Sequence, residues 1–210
     1  MNRLGNLLTI GIIAGATFLA SRDAYAQGGI GLEVAAKGGL GTNPVGVADP
    51  DPLHFGIGGR AGVTLGGLYA GGSILYYFGS SQADTVDGRA GQLSTHSLAY
   101  GAEAGYGFQL WGLIVRPQLG VGDDKITVKG TGAAAATIFG GSVSGTDTKG
   151  YLYLEPAVVG LVPIGSWFAG ADVGALLMPS GPYKSSPCDK ASCSSFDAAL
   201  TIHIQFGFTL

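Results

Sequence analysis

Few side chains in these 210 residues could do chemistry, and they are scattered. The histidines number three: His54, His96 and His203. Hydrolysis by a hydroxyl nucleophile needs that hydroxyl beside a base, with an acid orienting the base. The nearest set the chain offers is Thr201 and His203 with Glu155, far away in sequence. A single histidine on a polar strand face more often joins a hydrogen-bond network than acts as a base, so catalysis is not expected. His54 and His96 fall at loop–strand junctions, where exposed polar residues are ordinary. The run Gly130-Thr131-Gly132, with Ala135 and then Asp147, imitates a dinucleotide fingerprint. Gly140-Gly141 follows too soon for the helix that fingerprint requires. No cofactor is expected.

Cys188 and Cys193 stand in the run C-D-K-A-S-C. In an exported chain, a pair this close most simply forms a disulfide in a surface loop. A metal site is not expected, because no histidine is near and two thiolates seldom suffice.

What positions these residues is a period of two. From Ala198 onward, Ala198, Leu200, Ile202, Ile204, Phe206, Phe208 and Leu210 share one parity, and Thr201, His203, Gln205 and Thr209 share the other. That alternation is a strand with one oily and one polar face. Seven earlier stretches alternate likewise, at about 29–39, 54–65, 68–78, 97–108, 112–122, 150–161 and 167–177. The links at 66–67, 109–111 and 162–166 are short. Those at 40–53, 79–96, 123–149 and 178–195 are long and polar. Long and short links in strict alternation predict an all-β, antiparallel, up-and-down barrel that crosses a membrane, with all the long loops at one end.

Composition agrees. Charged residues make up 12% of the chain and glycine supplies 39 residues. So few charges suit a surface that faces lipid. The net charge of −3 and the lack of a basic patch disfavour nucleic acid as a partner. Arg3, the apolar run 7–20 and Ala24-Tyr25-Ala26 read as a signal peptide cleaved after Ala26. Residues 1–26 are then a leader and 27–210 the barrel. The run is shorter than the ~20 residues of a spanning helix. The apolar stretch 156–179 imitates such a helix, but its Pro163-Ile164-Gly165-Ser166 break and Asp172 predict a hairpin.

Two aromatic girdles are expected. Phe55, Tyr76, Phe78, Tyr100, Tyr151 and Phe196 lie beside the long loops, while Tyr106, Phe108, Trp111, Trp167, Phe206 and Phe208 lie beside the short turns. Since each spanning strand needs roughly 9–11 residues, eight strands fit. Ten would require 125–129 and 137–144 to form another hairpin. The preferred reading instead makes them extensions of strands five and six above the membrane. With the oily parity outward, Glu33, Lys37, Arg60, Glu103, Arg116, Glu155, Asp172 and His203 point inward. They predict an ion-pair network plugging the lumen, with glycines such as Gly58, Gly101 and Gly105 leaving room for the long side chains.

On its strand pattern, on the run Leu113-Ile114-Val115-Arg116-Pro117-Gln118-Leu119-Gly120-Val121-Gly122 and on its alternating C-terminus, the chain resembles the eight-stranded outer-membrane barrels typified by OmpA and OmpX. The resemblance implies a bacterial outer-membrane location and insertion by the barrel-assembly machinery, which reads the last strand. Leu210 stands where that family usually ends in Phe, which puts recognition on Phe206 and Phe208. A monomer in outer-membrane lipid is expected, non-enzymatic, with a structural or surface-interaction role and an extracellular ligand, if any, at the loops. A narrow channel is the alternative, and a lipid-modifying enzyme the second.

Overall fold

Each short turn closes on backbone that favours glycine. Gly66 and Gly67 have φ +56° and +88°, Trp111 and Gly112 +50° and +88°. Two successive residues with positive φ match the twist of a two-residue hairpin, which fixes the register of the strands on either side. The computed structural model describes residues 30–42, 50–86, 88–179 and 197–210. The leader with its expected cleavage site, the Cys188–Cys193 pair and Phe196 lie outside the described residues.

Among the described residues the strands are β1 (Ile30–Thr42), β2 (Phe55–Leu65), β3 (Leu68–Tyr77), β4 (Ser81–Val86), β5 (Arg89–Tyr106), β6 (Phe108–Leu110), β7 (Leu113–Thr131), β8 (Ser144–Ile164), β9 (Trp167–Met178) and β10 (Asp197–Thr209). One short helix, α1 (Gly132–Ile138), joins β7 to β8. Eight strands close a circle, each antiparallel to the next: β1, β2, β3, β5, β7, β8, β9 and β10. The circle shuts where β1 meets β10, from Glu33 opposite Thr209 to Thr42 opposite Leu200. The two extra strands are local: β4 folds back on the start of β5, and β6 on the start of β7. The ten-strand alternative fails, because 125–129 continues β7 and 137–144 holds the end of α1, a turn and the first residue of β8.

Beyond the aromatic level, β5, β7 and β8 run on as a projecting sheet with β4 at its edge. Lys125 pairs with Gly150 and Thr131 with Ser144 there. An alanine run, Ala133–Ala136, has the highest intrinsic helix propensity, and α1 buries Ala134 and Ala135 against this sheet.

Sidedness follows the period of two. Leu40, Ile57, Ile74, Leu119, Val173 and Ile202 are exposed, while Arg60, Ser73, Gln118, Asp172 and His203 are buried. Glycine permits the closure. A Cβ on Gly39 would collide with the Ile202 carbonyl oxygen, and one on Gly58 with that of Ile74. Next door, a Cβ on Gly38 would find nothing nearer than 3.7 Å. Gly39→Ala is therefore expected to cost about 1–3 kcal/mol by forcing the strands apart. Gly38→Ala should cost far less. Urea midpoints of the folded band on unheated gels measure both.

Candidate functional site

The interior is built in layers. Towards the short turns, Ala35, Ile114, Val159, Leu161 and Phe168 form an apolar cluster, all carried on strands. Beside this cluster, Glu33 holds two arginines. Arg116 forks onto it, with Nη1 donating to Oε1 at 3.0 Å and Nη2 to Oε2 at 2.9 Å. Arg60 Nη2 also donates to Oε1. Both guanidinium groups lie over the Tyr69 ring, 4.4 Å from its centroid for Arg116 and 5.0 Å for Arg60. Glu33 is 0% exposed and Arg116 1%. A planar guanidinium suits both contacts, the fork to carboxylate and the stack on a ring.

A second polar layer sits on β1, β9 and β10. His203 pairs with Asp172 in the ladder, so the imidazole Nδ1 and Asp172 Oδ1 come to 2.7 Å. Lys37 lies 3.3 Å from the other oxygen of Asp172, and Gln205 donates to it at 3.4 Å. On its far side, His203 Nε2 meets the hydroxyl of Tyr77 at 2.8 Å. Thr201 donates instead to Glu155, at 2.9 Å. The set of Thr201, His203 and Glu155 therefore separates into two pairs, and the hydroxyl facing the imidazole is a buried phenol. Glu103 likewise accepts a hydroxyl, from Tyr69 at 3.4 Å, and neither Glu103 nor Glu155 makes an ion pair among the described residues. Of the eight inward residues, six form two compact layers, and the carboxylates of Glu103 and Glu155 bond hydroxyls beside them.

Above this layer lies an apolar ring of Leu75, Tyr77, Ala99, Tyr153, Leu176, Met178 and Ala199 around Leu53. Leu53 is outside the strands yet fully buried. Tyr151, expected in the girdle, packs against this ring instead. It shares the parity of Tyr153 and Glu155 on β8, and a strand side chain two residues along points the same way. The other described girdle residues lie on the outward parity. Phe55, Tyr76 and Phe78 form contacts at the long-loop end, with Phe78 6.0 Å from Phe55 and 5.2 Å from Tyr76. Trp167, Phe206 and Phe208 do so at the other, as do Tyr106 and Phe108.

At the long-loop girdle, Lys125 Nζ lies 5.3 Å from the Tyr100 ring centroid, and Tyr100 donates to Asp123 at 3.0 Å. His96, beyond that level, touches the Tyr76 ring. Partial burial and the neighbouring Lys129 hold its imidazole below the usual histidine range.

Solved structures with this architecture are known. A major outer-membrane protein of Thermus thermophilus is 11% identical, with a TM-score of 0.54 over 86% of this chain and 99% of that one. The chain shares the barrel fold of that outer-membrane protein. The N-terminal barrel domain of Pseudomonas aeruginosa OprF, at 14% identity and TM-score 0.49, covers 86% of this chain and 97% of its own. The Yersinia pestis attachment invasion locus protein, Ail, at 13% and 0.45, covers the same shares. No protein-family pattern and no curated sequence matches the chain. At such identities the likeness lies in the barrel itself.

Sequence reading missed Tyr69, Tyr77, Phe168 and Leu53 as interior residues. The first two had a usable signal. They share the parity of Ser73 on β3, opposite to Leu68, Ala70 and Ile74. Leu53 had none, because a connection has no period.

Proposed function

We propose that this barrel resides in a bacterial outer membrane as a non-enzymatic envelope protein that does not conduct and meets its surroundings through its long-loop end. One observation supports the reading above others: side chains fill the interior from the short-turn end, where Glu33, Arg60 and Arg116 pack beside Ile114, Leu161 and Phe168, up to the apolar ring around Leu53. An ion entering either end would have to shed its water among Ile114, Leu161 and Phe168 or around Leu53. Apolar constrictions of that kind block ions by excluding water. The burial of His203 and Tyr77, each 1% exposed, speaks against hydrolysis, since no substrate carbonyl reaches the imidazole.

The projecting sheet of β4, β5, β7 and β8 supplies the surface for interaction. Its polar residues, such as Thr127, Lys129, Thr146 and Thr148, face solvent, as expected for a structure held clear of lipid. In this reading the chain is exported by a leader cleaved after Ala26 and inserted by the barrel-assembly machinery. It is a monomer in outer-membrane lipid, with the Cys188–Cys193 disulfide in its last long loop.

Purified protein in planar bilayers is expected to be silent, whereas steady single-channel steps would reject the reading. Cell fractionation should place it with outer membranes, running faster on gels unboiled than boiled. Incubation with phospholipid or lipopolysaccharide should release no acyl chain.

A further inference from the structure

We propose that the segment 50–54 is a removable stopper. Withdrawing Leu53 would open the chamber of Lys37, Asp172, His203, Glu155 and Thr201 to the long-loop side, and to that side alone. This goes beyond the envelope role and is independent of what the loops bind.

The two ends of the chamber are closed by different means. At the short-turn end, Ile114, Val159, Leu161 and Phe168, with Arg60 and Arg116 on Glu33 beside them, belong to strands with ladder bonds on both sides, so moving them would break the barrel. Leu53 belongs to no strand. Its segment is held by hydrogen bonds from Thr95 Oγ1 to the Pro50 carbonyl at 3.0 Å, Ser80 Oγ to the Asp51 carbonyl at 3.1 Å, and the Gly41 N–H to the His54 carbonyl at 2.8 Å. The Leu53 N–H donates to Asp51 Oδ1 at 2.9 Å, which shapes the segment without tying it to the wall.

The seat beneath Leu53 fits a leucine closely. A Cβ on Gly41 would lie 3.0 Å from Leu53 Cβ and 3.2 Å from the Tyr77 ring, so glycine there makes the room. Tyr77 forms the base of the seat, and its hydroxyl touches His203 directly below. At the far end of the segment, His54 has φ +32°, in the left-handed region that non-glycine residues avoid. That strain favours release. The wall side chains that would remain have ladder bonds to hold them, so opening need not unfold a strand.

Accessibility of the chamber tests this. Thr201→Cys, in full-length folded protein in micelles with Cys188→Ser and Cys193→Ser, reports entry of a small methanethiosulfonate reagent. Thr201 is fully buried, so labelling should be slow. Combining Ser80→Ala with Thr95→Ala removes two tethers and is expected to speed labelling about tenfold or more, since each hydrogen bond biases the open–closed equilibrium severalfold. Leu53→Ala should act likewise. The gel-mobility shift must persist in each variant, and Ala199→Cys replaces Thr201→Cys as reporter if the latter does not fold. Labelling unchanged by these substitutions would overturn the proposal. So would labelling of the intact segment as fast as that of exposed Ile138→Cys, because the chamber would then have no stopper. Leu53→Ala should remain silent in planar bilayers, and through-conduction would overturn the one-sided opening.

Discussion

Glu33→Gln is expected to lower stability by about 3–5 kcal/mol, the usual cost of leaving a buried charge without its partner. Here two cations lose the same partner. Arg60 and Arg116 both bond Glu33 beside the apolar cluster at the short-turn end, where Arg60 Cζ lies 5.8 Å from the Phe168 ring centroid. The neutral amide keeps its shape, and its oxygen can still accept from both guanidiniums as Oε1 does, so the loss reports charge more than packing. Glu103 cannot take over, because its contact is to Tyr69. Urea unfolding followed by the gel-mobility shift measures the change. The triple substitution Glu33→Leu, Arg60→Met and Arg116→Met should recover most of it, since well-packed apolar residues often equal a buried ion cluster in stability. A loss of less than about 1 kcal/mol for Glu33→Gln would mean that water reaches this layer and screens it.

The layer just described was half legible beforehand. Parity alone puts Glu33, Arg60 and Arg116 inside, because a strand has two faces and charge on the lipid face is costly. Parity does not say which partner each charge takes. That depends on register across strands distant in sequence, and on reach across the lumen. Arg116 on β7 crosses the interior to β1, while Glu103 and Glu155, equally charged and inward, are taken up by hydroxyls. Tyr69 and Tyr77, although on the parity of Ser73, were passed over for another reason. A tyrosine reads as apolar in a pattern, yet inside a polar lumen its ring stacks on arginine or its hydroxyl closes on histidine. Helix α1 was hidden by length, since seven residues hold fewer than two turns and only packing on the projecting sheet stabilises them.

Ile202→Arg tests the opposite face, and its sign depends on the solvent. Ile202 is 49% exposed on β10, between Leu40 of β1 and Val173 of β9, about halfway along the aliphatic belt. If that belt meets hydrocarbon, an arginine there should destabilise by roughly 2–4 kcal/mol, falling towards nothing near the girdles. Arginine in place of Leu210, just past β10 with its backbone bonded to Leu32 and its side chain 75% exposed, should therefore be nearly silent. A barrel of the same topology in water would give the reverse order. There Ile202 would be an oily surface residue whose replacement by arginine improves solubility. The comparison needs no ligand and no knowledge of the loops. It separates a membrane barrel from a soluble one by a single side chain whose neighbour, His203, lies buried on the other face of the same strand.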